Sequence, residues 1–262
     1  MAAGAAVQVH MLERLEQACE PLIAAARQGK LTEKRAFRLT SGELVRRVVP
    51  GLPEEHAQKA VALCRQLFTR RATWALFTTE WADSLARLIP SLLPGLASPR
   101  VLEVCAGLNA LVGPMRARGF DWVACDVKVD SAAISPPVAC DALEAVRSTA
   151  PNLVFWAWWS KDGAGDAHVA QHCWERGIPV VFVGEPRGGI TGSVALFDGP
   201  WTIQPLAGVA IDGGPPFRDL PTWTGFSDRT WLLSAPLACE ADPISGQLAA
   251  MSIDHTIEGG SQ

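Results

Sequence analysis

The stretch from residue 101 to 126, VLEVCAGLNALVGPMRARGFDWVACD, decides the fold of this 262-residue chain. It begins with strand-forming residues, turns at the small residues Ala106 and Gly107, and continues into an apolar run that fits a short helix. A second apolar run follows and ends at Asp126. This order predicts a parallel strand–helix–strand unit. Such a unit leaves backbone N–H groups and a carboxylate at the carboxyl edge of a sheet, where nucleotide-like ligands bind.

Strand and helix patterns alternate on both sides of this stretch, between residues 100 and 240. This alternation is typical of a doubly wound α/β sheet. The strand candidates are residues 101–105, 122–125, 135–140, 152–158, 180–184, 201–206 and 230–235. The helix candidates are residues 110–118, 143–148 and 166–176.

The first hundred residues have a different pattern, in which apolar residues recur at helical spacing. The proline and two glutamates at 53–55 suit the first turn of a helix, because proline fits the start and acids favour the positive helix end. A stripe that predicts another helix consists of Trp74, Phe77, Trp81, Leu85 and Leu88. We therefore divide the chain into a helical N-terminal lobe (1–98), a cofactor-binding domain (99–240) and a polar tail (241–262).

Composition and charge exclude several function classes. Hydrophobic residues make up 48% and charged residues 19%, and the net charge is −4, so no basic surface for nucleic acid is expected. No run of about 18 apolar residues predicts a membrane span. The N-terminus lacks the pattern of a signal peptide. The seven cysteines are scattered without a metal-ligand spacing, so we expect reduced thiols, no bound metal and a cytoplasmic protein.

The unit at 101–126 resembles the first half of the class I S-adenosylmethionine-dependent methyltransferases. In that family the first strand ends in an acid, a glycine-rich turn follows, and the second strand ends in another acid; Glu103, Gly107 and Asp126 match these positions. Cys105 and Asn109 stand where the family usually has glycine. Asparagine tolerates a left-handed backbone better than most residues, so we expect Asn109 to hold the turn. Cys105 is bulkier, and we expect the backbone there to approach a ligand less closely.

A dinucleotide-binding fold is the main competitor for this unit. Its fingerprint, G-x-G-x-x-G after a strand, is absent from the sequence. The acid at the end of the first strand would also repel a pyrophosphate. The sequence therefore favours a Rossmann-like, doubly wound sheet of the class I methyltransferase type with an N-terminal helical lobe.

Three later loops extend the resemblance over residues 101 to 233. They are AWWS at 157–160, VGEPRGGITG at 183–192 and LPTWTGFSD at 220–228. In this order they resemble a branch with a Ser-Trp-Pro-Pro loop after strand four, a Gly-Glu-Gly-x-Gly-Gly-Cys-Thr loop after strand five and a Trp-Pro-Gly turn before the last strand. Trp159 and Ser160 replace the two prolines. That loop borders the methyl group in methyltransferases, so methyl transfer itself stays open.

The resemblance implies S-adenosylmethionine (SAM) as cofactor, bound at the carboxyl ends of the first four strands. Asp126 is expected to accept hydrogen bonds from both ribose hydroxyls. An acid such as Asp141 commonly reaches the adenine amino group in the family, although aspartate is also a common helix N-cap. The expected cofactor contacts are Glu103, Ala106, Gly107, Asn109, Asp126, Asp141, Ala142 and Ala157.

The candidate catalytic residues follow strands four and five. Trp158 and Trp159 could form an aromatic wall beside the sulfonium, since a π-face stabilises a cation, or they could be core residues. Glu185 could be a general base or bind a substrate cation, or it could form a loop salt bridge with Arg187. His168, one of two histidines four residues apart on a predicted helix, could serve as a base, but a surface or packing role is favoured for this pair. No third ligand accompanies these histidines, so no metal site is predicted.

The leading hypothesis is a SAM-dependent methyltransferase that acts on a small, largely apolar molecule. One alternative is a SAM-binding enzyme that catalyses a cyclisation or rearrangement, with the sulfonium as a fixed positive charge. Another is a non-enzymatic interaction module on the same fold. An RNA or protein substrate is disfavoured, because the chain has no basic strip to hold phosphate. The apolar stripes of the N-terminal helices could form a lid or a homodimer surface.

Overall fold

The computed structural model describes residues 2–212 and 214–234, with side chains described from His10 onwards. The predicted polar tail at 241–262 lies outside the described residues. So does residue 235, the end of the last strand candidate.

The first four helices of the chain share one apolar core. They are α1 (Ala2–Arg27), α2 (Glu33–Thr40), α3 (Glu43–Val48) and α4 (Glu54–Arg71). Pro53 precedes α4 and Glu54 and Glu55 occupy its first turn, as the sequence predicts. Their core includes Leu15 of α1 and Phe68 of α4, and it also receives Trp223 from the loop before the last strand. The helical part is thus tied to the sheet domain by a buried indole.

The fifth helix, α5 (Thr79–Leu92), packs on the sheet. The Thr78 side chain caps it by accepting a hydrogen bond from the Trp81 backbone N–H at 3.2 Å. The predicted apolar stripe is therefore only partly helical. Trp81 lies in α5, but Trp74 and Phe77 lie in the loop before the cap, which frees them from the helix surface.

Seven strands form one sheet in the order β3-β2-β1-β4-β5-β7-β6. The strands β1 to β5 are parallel to one another, whereas β7 is antiparallel to both β5 and β6. This topology confirms the predicted Rossmann-like fold class. The strands are β1 (Arg100–Val104), β2 (Asp121–Asp126), β3 (Val138–Ala139), β4 (Leu153–Ala157), β5 (Val180–Gly184), β6 (Thr202–Pro205) and β7 (Arg229–Ser234).

The third strand is much shorter than the stretch 135–140 that the sequence predicts. Pro136 and Pro137 occupy the first part of that stretch. Proline has no N–H to donate to a neighbouring strand, so regular pairing begins only at Val138.

The remaining helices complete the layers on both faces of the sheet. They are α6 (Val112–Arg116), α7 (Ala142–Thr149), α8 (Gly165–Trp174) and α9 (Val194–Phe197). The last of these is a single turn capped by Ser193, and the sequence does not predict it. The α5–α6 side of the sheet buries Val101 and Trp122, whereas the α7–α8 side buries Leu102 and Val104. Among the described helices, none combines the length and the apolarity needed to cross a membrane.

Candidate functional site

A cavity of about 720 Å³ lies between α4, the loop after it and the carboxyl edge of the sheet. It lies at the ends of β1 and β4, where the strand order of the sheet reverses, and ligands of open α/β sheets bind at such a position. Six of the eight expected cofactor contacts line it: Glu103, Ala106, Gly107, Asn109, Asp126 and Ala157.

The other two expected contacts, Asp141 and Ala142, are outside this cavity wall. Asp141 is the N-cap of α7, and its Oδ1 accepts hydrogen bonds from Leu143 N at 2.9 Å and Glu144 N at 3.2 Å. Ala142 is the first residue of that helix. The adenine contact therefore stays a prediction.

In the turn after β1, every second residue has a left-handed backbone conformation, and the sequence predicts only part of this pattern. Cys105, Gly107 and Asn109 have φ angles of 55°, 53° and 58°, all in the left-handed region. The prediction that Asn109 holds a left-handed turn is confirmed. Cys105 adopts the same conformation at the first position. For a residue other than glycine, this left-handed conformation costs about 1–2 kcal/mol. Such strain persists only where the surroundings fix it, and it concentrates at functional sites.

Hydrogen bonds from the neighbouring loop and strand fix this turn. The Gly107 N–H donates to Asp126 Oδ2 at 2.9 Å, and the Asn109 side-chain amide donates to the Ser135 carbonyl at 2.5 Å. The other oxygen of Asp126 accepts from Lys128 N at 2.9 Å. Each carboxylate oxygen has more than one lone pair, so Asp126 holds the turn and can still accept hydrogen bonds from a ligand.

The left-handed conformation at Asn109 leads to a stability prediction. Asn109→Ala and Asn109→Gly both remove the bond to Ser135, but only alanine is strained at φ 58°. We expect Asn109→Ala to lower the free energy of unfolding by about 1 kcal/mol more than Asn109→Gly does. Urea unfolding of the two variants measures this difference. Equal stabilities would show that the turn relaxes out of the left-handed region.

Glu103 lies at the floor of the cavity and is 3% exposed. Its Oε2 accepts a hydrogen bond from the Trp122 indole N–H at 2.7 Å. Burial raises the pKa of Glu103 to about 8, and the Trp122 bond offsets only part of this effect. With this pKa the carboxyl group is mostly neutral at pH 7, and a cation placed beside it would favour its ionised form.

The two tryptophans after β4 point into different parts of the structure. Trp158 has a left-handed φ of 58° and stacks on Trp74 with ring centroids 5.7 Å apart. Trp159 packs edge-on against Trp156 and lies close to Gly165 of α8. Trp158 therefore belongs to the aromatic wall near the cavity, whereas Trp159 joins the α7–α8 side of the core. A catalytic role for either residue stays a prediction.

The other two candidate catalytic residues are also separated. Glu185 is buried directly after β5, and its expected alternative partner Arg187 pairs instead with Asp198 at 2.7 Å. The alternative prediction of a loop salt bridge between Glu185 and Arg187 is therefore wrong. His168 is exposed on α8, which packs on the sheet face opposite α5. The structure gives its predicted role as a base no support from neighbouring groups.

The structure adds three residues that the sequence reasoning missed. Arg65 of α4 places its guanidinium carbon 3.7 Å from the ring centroid of Phe226. Asp228, directly before β7, is 5% exposed. Trp74 lines the cavity and is 53% exposed. An acid next to the last strand was a usable signal for Asp228, whereas Arg65 has only the pattern of an ordinary helix surface.

Comparisons with known proteins give similarity at the level of the fold. No family model matches the sequence, and no curated protein matches it. The similar solved structures include the magnesium protoporphyrin IX methyltransferase of Synechocystis PCC 6803 with bound SAM (11% identity, 76% of this chain, 93% of that chain, TM-score 0.34). They also include the pyocyanin biosynthetic protein PhzM (13%, 78%, 70%, 0.36) and the plantazolicin methyltransferase BpumL with SAH (9%, 85%, 99%, 0.39). These scores are low, and the fold assignment rests on the sheet order described above.

Proposed function

We propose that this protein is a SAM-dependent methyltransferase that acts on a small, largely apolar molecule. The observation that carries the proposal is the turn at 105–109, which is left-handed at three alternating positions and bonded to Asp126 at the mouth of a large cavity. This backbone is the one that glycines at those positions would adopt, although only Gly107 is a glycine here.

The residues around the turn fit the parts of SAM. A Cβ placed on Gly107 would meet no atom within 4 Å, so the space beside the turn is open to a ligand. The half-buried carboxylate of Asp126 would accept hydrogen bonds from the ribose hydroxyls. Glu103, at the floor of the cavity, would face the positively charged amino acid end. When bound, SAM supplies an electrophilic methyl group.

The proposed substrate class follows from the other wall of the cavity. Trp74, Phe77 and Ala157 supply apolar surface there. Apolar walls with a few polar groups are typical of sites for small molecules. A cavity of about 720 Å³ lies within the range of about 300–1,000 Å³ that is typical of small-molecule sites.

A second candidate is a SAM-binding enzyme without methyl transfer. Trp158 favours it, because the left-handed residue and the two bulky indoles of this loop stand where the related branch has a Ser-Trp-Pro-Pro loop. In this case the same residues would bind the cofactor, but the acceptor pocket would be shaped for a rearrangement.

Transfer of a labelled methyl group separates the two candidates. The purified protein is incubated with SAM labelled at the methyl group and with a small-molecule extract from the cells that express it. The proposal predicts that the label moves into an extractable small molecule and that S-adenosylhomocysteine forms in equal amount. Turnover of the extract without movement of the label would favour the second candidate.

A further inference from the structure

The sheet order brings a second group of side chains together at the same edge of the sheet, at the ends of β4, β5 and β7. Trp158 follows β4 and Glu185 follows β5. Asp228 precedes β7, and Gly184 at the end of β5 pairs with Arg229 at the start of β7. Because β7 is antiparallel to β5, its first residue lies at the same edge as the last residue of β5. This group is thus across β4 from the turn proposed to bind the cofactor.

Both carboxylate oxygens of Glu185 accept hydrogen bonds from backbone N–H groups. Its Oε2 accepts a hydrogen bond from Ile190 N at 2.6 Å, and its Oε1 accepts a longer one from Ser227 N at 3.4 Å. A Cβ on Gly189 would lie 2.4 Å from the Cβ of Glu185, so the loop closes tightly over this side chain. Glu185 therefore joins the loop after β5 to the segment before β7.

Asp228, in contrast, is buried without a complete set of partners. Its Oδ1 has no hydrogen-bond partner among the described residues. The indole N–H of Trp158 is near enough to lower the pKa of Asp228, but it also lacks a hydrogen bond. A buried acceptor and a buried donor that both lack partners are costly, and such groups concentrate where a ligand completes them.

Arg65 brings a positive charge to the same place from the helical lobe. Its guanidinium lies over Phe226 at 3.7 Å and over Trp158 at 5.4 Å, and its Nε has no hydrogen-bond partner in the part of the chain that the structure describes. Arg65 also lines the cavity, next to the exposed indole of Trp74. The described cluster thus combines an aromatic surface, a cation and an acid. Arg65 connects it to the cavity, whose lining includes neither Asp228 nor Trp158.

We propose that Asp228 accepts the proton of the methyl acceptor, and that this acceptor is a hydroxyl group on a flat aromatic ring. The inference rests on the proposed function and names the substrate class of the same site. A flat ring would stack on the exposed face of Trp74. A hydroxyl oxygen becomes negative as it loses its proton, and the charge of Arg65 would stabilise it. An amine would become positive on methylation and would gain nothing from Arg65.

The proposed step balances without another reactant. The hydroxyl proton passes to the carboxylate of Asp228, and the oxygen forms a bond to the methyl carbon. The carbon–sulfur bond breaks with its electron pair on sulfur. The products are a methyl ether, a thioether and a protonated Asp228, which returns its proton to water.

The charged surroundings of Asp228 set the pH at which it can act. Burial, together with the negative charges of Glu185 and Asp219, raises the pKa of Asp228 to about 7, although Arg65 and the Trp158 indole offset part of this effect. A base works best when its pKa lies near the operating pH. Asp228 is therefore ionised above neutral pH and protonated below it.

Binding of two matched probes, 2-naphthol and naphthalene, tests the proposal without turnover. At about pH 8 the wild type should bind 2-naphthol at least about tenfold more tightly than naphthalene, since a hydrogen bond to a charged acceptor contributes roughly 1.5–3 kcal/mol. The preference should fall several-fold at about pH 6, where Asp228 is protonated. Equilibrium dialysis measures both affinities. Absence of binding, or equal affinity for both probes at both pH values, would overturn the inference.

Two variants assign the preference to Asp228. Asp228→Asn should reduce the preference to about twofold or less at either pH, since the amide cannot ionise. Glu185→Gln removes a neighbouring negative charge and should lower the pKa of Asp228. The pH midpoint of the preference for 2-naphthol over naphthalene should therefore move downward. This second variant keeps the inference testable even if Asp228→Asn does not fold. An unchanged preference in Asp228→Asn, or an unchanged midpoint in Glu185→Gln, would contradict the assignment.

SAM binding by the wild type is measured in the same samples. If SAM does not bind, the proposed function itself fails. If SAM binds but 2-naphthol is not preferred, only the assignment of Asp228 and of the aromatic hydroxyl fails.

Discussion

Replacing Asp126 with alanine should weaken SAM binding by roughly a hundredfold or more. Two hydrogen bonds from the ribose hydroxyls to a charged acceptor contribute roughly 1.5–3 kcal/mol each, and about 1.4 kcal/mol corresponds to a tenfold change in affinity. The variant also loses the bonds that Asp126 accepts from Gly107 N and Lys128 N, so the turn at 105–109 loses one of its anchors. Both effects act in the same direction, and isothermal titration of SAM measures their sum.

Asp121 provides the matched control for this variant. It lies at the other end of β2 and pairs with Arg100 at 2.7 Å. Asp121→Ala removes the same side chain from the same strand, and it should leave the affinity for SAM within about twofold, since an exposed ion pair contributes little. If Asp126→Ala binds SAM as tightly as Asp121→Ala does, the ribose is not bound at Asp126.

Replacing Glu103 with glutamine should make the protein more stable above neutral pH. Glu103 has its ordinary pKa of 4.5 in the unfolded chain and a pKa raised to about 8 by burial in the folded protein. The unfolded chain therefore releases this proton first as the pH rises. The contribution of Glu103 to stability is fully present below about pH 4.5, declines between 4.5 and 8, and is lost above about 8.

The size of this effect makes Glu103→Gln a decisive variant. A shift from 4.5 to about 8 corresponds to up to about 5 kcal/mol, at roughly 1.4 kcal/mol per pKa unit. Glutamine can accept the Trp122 hydrogen bond without ionising, so wild type and variant should be similar near pH 4.5 and diverge toward pH 8. Urea unfolding at several pH values measures the difference. Parallel stability curves would show that Glu103 is ionised in the folded protein at neutral pH.

Asp219 and Asp228 also have raised pKa values because they are buried, so the whole protein should lose stability in the same direction. For this reason the comparison uses the difference between wild type and Glu103→Gln at each pH. That difference isolates Glu103, provided the other acids keep their surroundings.

The sequence predicts the sheet well because its strands are short apolar runs with clear ends. The fifth strand candidate, at 180–184, matches β5 at both ends. The turn at 105–109 is predicted from another local preference. Asparagine is compatible with a left-handed backbone, and Asn109 has this conformation in the structure. Local conformational preferences therefore carry most of the information about the side of the site that we propose to bind the cofactor.

The sequence predicts the other side of the site poorly, because its residues meet only in the folded chain. Trp74 fits a helical stripe by spacing, but the cap at Thr78 starts α5 later and leaves Trp74 exposed in a loop. Arg65 lies on α4 and reaches Phe226 more than a hundred residues away. Neither the exposure of Trp74 nor the contact of Arg65 with Phe226 can be predicted from the neighbouring sequence. The spacing of residues along one element does not indicate which other element it packs against.

Isothermal titration of the purified protein with SAM and with S-adenosylhomocysteine tests whether the proposed cofactor binds. We expect saturable binding of one equivalent of each ligand, competition between them, and loss of at least about a hundredfold in affinity in Asp126→Ala. No heat of binding with either ligand at millimolar concentration, together with no thermal stabilisation, would contradict this expectation.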